Sequence, residues 1–305
     1  MAIITTRAED AASVTIDGAR CIGCGLCVSV CKDFGLKLED GRAVVSDAPV
    51  FGCFACGHCA AVCPASAIDI EGRTLSASDI VPLDGDRPVS TFDDLRELML
   101  RRRSIREFTD QPVDGELIDK IVEASSTAPM GLTPSDVNLL IFDSREKLDG
   151  FAADFCGMLE SMKWLVADWF LNLMRPFWGK ANDQVFRGFL KPLAELYTAR
   201  MEKGENLVTY SAPAGIYFYA SAYADPADPI VAATYAMLAA ESLGLGSCML
   251  GGIHPLIQNG RKAAALRAKY GIRRKSREGI FVVFGHPALH YKKSIRRSFA
   301  AVDRI

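Results

Sequence analysis

Cys21-Ile-Gly-Cys24-Gly-Leu-Cys27-Val-Ser-Val-Cys31 and Cys53-Phe-Ala-Cys56-Gly-His-Cys59-Ala-Ala-Val-Cys63-Pro64 repeat one spacing, C-x2-C-x2-C-x3-C. That spacing curls a loop of backbone around a cubane, so three thiolates reach three irons of one 4Fe–4S cluster while the fourth cysteine leaves on a short helix. Zinc sites present two separated C-x2-C pairs for four ligands, a poor match to evenly spaced triplets with a fourth cysteine behind each. A disulfide framework matches less well still. Between the cysteines stand Gly23, Gly25, Ala55, Gly57, Ala60 and Ala61. Small residues let backbone bend closely around a cluster and point N–H groups at its sulfurs. His58 falls inside the second loop, where the cysteines already complete the ligand set, and reads as a solvent-facing or supporting residue.

Over roughly residues 15–75 these runs resemble the bacterial two-cluster ferredoxins. In that family the fourth cysteine of each run ligates the other cluster. The resemblance therefore implies one 4Fe–4S cluster on Cys21, Cys24, Cys27 and Cys63, and a second on Cys53, Cys56, Cys59 and Cys31. Lys32 follows Cys31 where Pro64 follows Cys63, a departure at a position that is not a ligand. A segment of this size has little apolar core, so it is expected to fold only with its clusters.

The chain has 305 residues, half of them hydrophobic, enough for two domains and one sizeable core. Its net charge of −2 and pI near 6.1 do not indicate a polyanion binder. Eight of the ten cysteines lie in the two runs, leaving Cys156 and Cys248, which suits a reducing compartment; the expected location is the cytoplasm. The first residues lack an apolar stretch behind a basic one and do not read as a secretory signal.

Residues 12–18, 43–46 and 68–70 read as short strands around the cysteine loops, an internal pseudo-repeat. Residues 76–90, with Pro82, Gly85 and Pro88 among acidic side chains, have turn chemistry and read as a linker. Residues 1–75 are then the cluster domain and 91–305 the large domain. Thr91 is placed to cap a helix carrying Leu95, Leu98 and Met99 on one face, and a second helix follows Asp114. Residues 139–142, 215–219 and 279–284 are apolar runs of strand length. Asp228-Pro229 opens a helix that ends at Gly244. Helices alternating with strands give an α+β or α/β class.

The segment at about 150–208 holds all three tryptophans, Trp164, Trp169 and Trp178, with Phe170, Leu173, Phe177, Phe186 and Phe189. Lys163, Asp168 and Arg175 interrupt every window long enough to span a bilayer, so no membrane span is expected. Two readings stay open: amphipathic helices that pack on a partner subunit or roof a pocket, and ordinary helical core.

A second constellation runs through the large domain. Arg101-Arg-Arg-Ser-Ile-Arg106 is followed by Thr127-Ala-Pro-Met-Gly131, Leu243-Gly-Leu-Gly-Ser-Cys-Met-Leu-Gly-Gly252, Phe284-Gly-His-Pro287 and Lys292-Lys-Ser-Ile-Arg296-Arg297. In this order the pieces resemble the FMN-dependent nitroreductase family over nearly all of 91–305, and the nearer likeness is to members with an N-terminal ferredoxin domain. The resemblance implies an α+β fold, an FMN cofactor and a homodimer with FMN at the subunit interface. By its motifs, Arg102 and Ser104 contact the cofactor tail and Arg106 lies at the N1–O2 edge of the ring, which gains negative charge on reduction. Permanently charged, forked guanidinium groups suit both ends of such a ligand. Gly251 would offer its N–H to flavin N5, with Met249, Leu250 and Gly252 along the ring; Arg103, Pro129, Met130 and Gly131 complete the implied cofactor set. Arg296 and Arg297 match the family's C-terminal phosphate contacts, and which of the two serves stays open. After Pro129 the chain departs from the family, with Thr133-Pro134-Ser135-Asp136-Val137 where many members carry Gln-Pro-Trp. Gly244 and Gly246 read as a helix cap and turn, and Cys248 as a buried small apolar residue, with no histidine beside it.

The resulting expectation is an iron–sulfur flavoprotein reductase. It takes electrons from reduced ferredoxin or NAD(P)H and passes them through the clusters and FMN to an electron-poor acceptor such as a nitroaromatic or quinone. No side chain is assigned as catalytic acid or base, because solvent can supply protons. Alternatives are a relay to a protein partner and another flavin chemistry, such as reductive dehalogenation or ring cleavage. Nucleic-acid binding through Arg101–Arg103 and Arg273-Arg-Lys-Ser-Arg277 lacks interleaved aromatics and is not expected. No G-x-G-x-x-G fingerprint follows a strand, which decides little about nicotinamide use.

Overall fold

A computed structural model describes residues 12–50, 52–73, 75–83, 90–131, 135–222 and 224–304. Gly85 and Pro88 of the expected linker, and Thr133 and Pro134, lie outside them. The chain divides into two compact units. One comprises Met1–Val89, Pro129–Val137 and Ala220–Asp228, and the other Ser90–Ala128, Asn138–Tyr219 and Pro229–Ile305.

In the first unit, β1 (Ser13–Ile16) is followed by α1 (Leu26–Val30), β2 (Leu36–Glu39), β3 (Arg42–Val45), α2 (His58–Ala61) and β4 (Ile68–Glu71). β1 pairs antiparallel with β4, Val14 opposite Ile70, and β2 pairs antiparallel with β3. The sequence reading missed β2, a stretch of four residues with charges at every second position. The pseudo-repeat is carried into the backbone with an offset of 32 residues, the separation of Cys21 from Cys53. Gly23 and Ala55, Gly25 and Gly57, Phe34 and Ser66 all hold positive φ at matching positions. L-residues enter that region reluctantly, so its recurrence at Ala55, Phe34 and Ser66 marks a path imposed on the loop. The buried apolar cluster is small: Cys27, Leu36, Ala43, Ala55, Cys59, Ala60, Ile68 and Ile70.

Beyond them come α3 (Phe92–Arg101), α4 (Gly115–Ser126), β5 (Val137–Phe142), α5 (Arg145–Ser161), α6 (Asp168–Val185), α7 (Lys191–Met201), β6 (Ala214–Ala220), α8 (Asp228–Ser242), β7 (Gly246–Leu250), α9 (Ile253–Leu256), α10 (Arg261–Lys269) and β8 (Gly279–Gly285). Thr91 caps α3 in a reciprocal box with Asp94: its hydroxyl accepts the Asp94 N–H at 3.2 Å while Asp94 accepts the Thr91 N–H at 3.1 Å. The sheet runs β5-β6-β8-β7, with β8 antiparallel to both β6 and β7. β6 and β8 are buried along their whole length, as central strands covered on both faces are. Phe281 of β8 stacks on Phe151 of α5 and on Tyr217 of β6, at centroid distances of 4.9 and 4.7 Å.

β7 departs from the expected turn. Gly244, at φ 78°, does cap the preceding helix, but Gly246 is a strand residue. A Cβ there would lie 2.7 Å from Ile105, so the glycine makes room for the segment alongside β7.

The tryptophan-rich segment is helical, with Pro176 inside α6 and a kink at Gly179. Leu171 is fully buried, while Trp169 and Phe177 are 61% and 79% exposed and Leu173 is exposed with them. Within one chain this face is therefore not core. No helix among the described residues is long and apolar enough to cross a membrane.

Two glycines test this packing from opposite sides. Gly246→Ala overpacks the contact with Ile105 and should cost about 1–3 kcal/mol, read as a lower denaturant midpoint. Gly157→Ala, in α5 with nothing near its added Cβ, should instead stabilise by up to about 1 kcal/mol. A pH-dependent contribution comes from His254, whose Nδ1 lies 2.8 Å from the Tyr217 hydroxyl, with Gln258 donating to that hydroxyl at 3.1 Å and accepting the Ser276 N–H at 3.1 Å. Burial holds the His254 imidazole below its ordinary pKa. The folded protein therefore keeps it neutral to lower pH than the unfolded chain, which protonates at about 6.5. This contribution is intact above that pH and is lost as pH falls below it. Thermal melts from pH 8 to 5.5 should show a steeper acid loss for the wild type than for His254→Gln; equal slopes would contradict the assignment.

Candidate functional site

In the first unit, Gly25 and Gly57, both left-handed, turn the chain into α1 and α2, which carry Cys27 and Cys59 inward. The cysteines surround two cavities. One is lined by Cys21, Cys24, Cys27 and Cys63, together with Ala43, Ala65 and Ala67. The other, about 250 Å³, is lined by Cys31, Cys53, Cys56 and Cys59, together with Asp33, Gly35, Phe54 and Ile70. Each ring thus takes three thiols from one run and its fourth from the other. Thiols ringing a cavity suit a cluster in which every cysteine binds a different iron. Among the described residues no three or more His, Cys, Asp or Glu side chains gather as a site for a single metal ion.

The electrostatics divide the thiols the same way. Burial pushes the Cys59 thiol up to about 12, with Cys56, Cys53 and Cys31 adding to the shift. Burial also raises Cys53, with Cys56, Cys31 and the Asp33 carboxylate adding, and raises Cys27, with Cys63 and Cys21 adding. Cys21 is lowered instead, chiefly by the Ala43 N–H, which donates to its sulfur at 3.5 Å. The Ala67 N–H donates to the Cys63 sulfur at 3.3 Å. Buried neutral thiols must lose protons to bind iron, so loading the rings releases protons. His58 lies exposed at the rim of the second cavity.

In the second unit, the stretch after α3 lies alongside β7: Ser104 forms a parallel bridge with Ser247, and the Ile105 N–H donates to the Ser247 carbonyl at 3.0 Å. The Cys248 thiol is raised by burial and opposed by Arg106, Ser104 and Arg102, so these three side chains meet around it. Arg106 also hydrogen-bonds Tyr210 and sits 5.8 Å from the centre of its ring. Arg102 is half-buried, and burial lowers its pKa, with the Arg103 and Arg297 charges adding and Glu241 opposing. Arg103 donates to the Arg102 carbonyl at 3.1 Å and to the Ser294 hydroxyl. The Arg103 and Arg297 charges thus act on Arg102, two residues before Ser104. Such an arrangement is costly alone and is relieved by a multivalent anion, phosphate above all. Both C-terminal candidates are exposed, and it is Arg297 whose charge is felt at Arg102.

Met249 is half-buried, Leu250 is buried and Gly251 is exposed. A Cβ on Gly251 would meet nothing within 4 Å, so its backbone opens on free space, whereas a Cβ on Gly252 would come 3.2 Å from Leu193 of α7. Tyr197, also of α7, has its phenol pushed up to about 12 by burial, with Tyr210 and Cys248 adding. Leu193, Tyr197 and Tyr210 are neighbours of this site that the sequence reading missed, and no local motif marks them. Pro129, Met130 and Gly131 belong to the first unit. There the Gly131 N–H donates to Asp228 at 3.0 Å, and burial raises that carboxyl.

A model of the nitroreductase family matches residues 99–286, and a model of the 4Fe-4S dicluster domain matches residues 13–64. A search of curated proteins finds no match. Among solved structures, a nitroreductase with bound FMN from Desulfitobacterium hafniense is 18% identical, covering 70% of this chain and 100% of its own, with a TM-score of 0.51. A nitroreductase with bound FMN from Bacteroides fragilis is 17% identical, covering 69% of this chain and 99% of its own, with a TM-score of 0.52. At these identities the likeness is one of fold.

The charges acting on Arg102 carry a prediction about phosphate. In fluorescence titrations of flavin-free protein, Arg297→Ala should weaken FMN binding about tenfold or more, in line with a hydrogen bond to a charged group. Arg296→Ala should leave it within about twofold, because Arg297 and not Arg296 is among the charges felt at Arg102. Riboflavin, which lacks the phosphate, should bind both variants alike; an equal loss with riboflavin would remove the phosphate assignment.

Proposed function

Because the chain belongs to the nitroreductase family and carries a 4Fe-4S dicluster domain, we propose that it is an FMN-dependent oxidoreductase with a built-in electron inlet. The two cysteine rings admit electrons singly, and the arginine-lined site delivers them to an electron-poor small molecule such as a nitroaromatic or a quinone. FMN, when bound, supplies a carrier able to handle one or two electrons, and a 4Fe–4S cluster one that handles single electrons. The division of labour among residues follows from their chemistry. Arg102, Arg103 and Arg297 neutralise the phosphate, Ser104 hydrogen-bonds the tail, and Arg106 sets a permanent charge where the reduced ring is negative. Gly251 leaves its backbone N–H open to approach.

The observation that carries this reading is the pairing, in one chain, of two four-thiol rings with Arg102, on which the Arg103 and Arg297 charges act, and Ser104 bridged to β7. A second copy of the chain covers the exposed face of α6. The ten cysteines are all free, which suits cluster assembly in a reducing compartment such as the cytoplasm. Reduced ferredoxin is the favoured donor, because the rings accept electrons one at a time, with NAD(P)H as the competing source.

Anaerobically purified protein should carry about eight irons and one FMN per chain. Mixed with NADH or NADPH and then with reduced ferredoxin, it should show cluster absorbance bleaching before acceptor turnover begins, and Cys56→Ala should slow ferredoxin-driven turnover at least tenfold. Rapid bleaching of flavin by nicotinamide, with turnover indifferent to Cys56→Ala, would remove the rings from the pathway.

A further inference from the structure

The pseudo-repeat makes the two rings close copies in backbone, but not in charge. The position two after the fourth cysteine is Asp33 in the first run and Ala65 in the second. Asp33 is only 7% exposed and lines the Cys31, Cys53, Cys56 and Cys59 cavity, while Ala65 lines the other. Its Oδ2 accepts the N–H of Gly52, the residue before Cys53, at 3.1 Å. The same oxygen and the Cys31 sulfur each lie 3.7 Å from the point a Cβ on Gly35 would occupy, and so are at most twice that apart. The carboxylate also acts on the Cys53 thiol.

Among the described residues lining this cavity, the other titratable side chains besides the cysteines are Lys32 and His58, both exposed, with the Lys32 ammonium held by the Ser29 carbonyl at 2.7 Å. Solvent screens exposed charges far more than buried ones. At the other ring the charge felt by Cys21 is that of Arg42, and Cys24 is exposed, whereas none of the second ring's cysteines is. Backbone N–H groups reach sulfurs in both rings, so they do not distinguish them. Adding one electron to a cluster makes no bond and breaks none; it adds one negative charge. Nearby negative charge and burial both oppose that addition, and cluster potentials follow net charge and exposure.

We propose that Asp33 makes the two clusters inequivalent: built into the wall of one ring, its carboxylate holds that cluster at the lower reduction potential, so the first electron taken up resides on the cluster of Cys21, Cys24, Cys27 and Cys63. This rests on the reading of the rings as 4Fe–4S sites. It gives the inlet a direction, from the Asp33 ring to the Cys24 ring, for electrons supplied by a low-potential donor.

The test is a redox titration of the full protein with dithionite, each cluster followed by its paramagnetic resonance signal. Asp33→Asn keeps the shape and should raise the lower midpoint by about 59 mV, a tenfold shift in the one-electron equilibrium, leaving the upper one in place. Asp33→Glu should restore the wild-type value. Ala65→Asp should independently lower the upper midpoint, which also identifies the ring behind each signal. Unmoved midpoints in Asp33→Asn with iron and sulfide content intact, or movement of the upper one, would overturn the proposal. Wild-type protein without iron and sulfide would instead overturn the reading of the rings on which it rests.

Discussion

The first unit depends on one constraint: two groups of four thiols must each close around a common centre, and each group borrows a member from the other run. Cys63 enters the ring of Cys21, Cys24 and Cys27, and Cys31 enters that of Cys53, Cys56 and Cys59. Neither loop can reach its final path alone. Phe34, Ala55, Ser66 and Arg73 hold left-handed backbone, at about 1–2 kcal/mol per residue. The core among the described residues, eight mostly small side chains, offers little to offset that. Iron–sulfur bonding is the term that can, which ties the folding of this unit to cluster loading.

The second unit poses the opposite problem. Its core is ample, with Phe151, Tyr217 and Phe281 stacked between α5 and the sheet. The stress lies in the like charges brought together at Arg102, Arg103 and Arg297. Half-burial denies Arg102 and Arg103 full hydration, and the Glu241 carboxylate nearby is itself raised by burial. A multivalent anion would relieve such crowding, and phosphate is the anion whose geometry matches several forked donors. The rigid sheet edge at β7 holds Ser104 and Ile105 in register, so the same backbone that fixes the fold also fixes the charge.

Much of this was legible in the sequence because ligand geometry and capping leave little latitude. Cysteine spacing, the Thr91 and Asp114 caps and the apolar runs at 139–142, 215–219 and 279–284 are local signals, and elements stand at each. β7 was not legible. Gly246-Ser-Cys-Met-Leu250 reads as turn chemistry, and only pairing with β8 and the need to clear Ile105 make it a strand. Tyr197 and Tyr210 reach the neighbourhood of Cys248 from distant positions, which no spacing rule marks. The grouping of Pro129–Val137 and Ala220–Asp228 with the cluster unit depends on long-range contacts. Composition likewise left open whether the aromatics of α6 were core or surface; Trp169 and Phe177 are exposed, while Phe170 and Trp178 are half-buried.

Internal repetition sharpens what side chains have to do. When two loops share spacing, helix placement and even their left-handed residues, the backbone gives both centres nearly the same surroundings. Any difference in their chemistry must then come from the positions where the repeats part, among them Leu26 against His58, Lys32 against Pro64, Asp33 against Ala65, and the exposed Cys24 against half-buried Cys56. Lys32 is solvated, and its charge is spent on water and the Ser29 carbonyl. Asp33 is buried, where low dielectric lets one charge act across several ångströms. Of the substitutions in the two cavity walls, the one that carries a buried charge therefore has the greatest leverage over the order in which two otherwise similar centres fill.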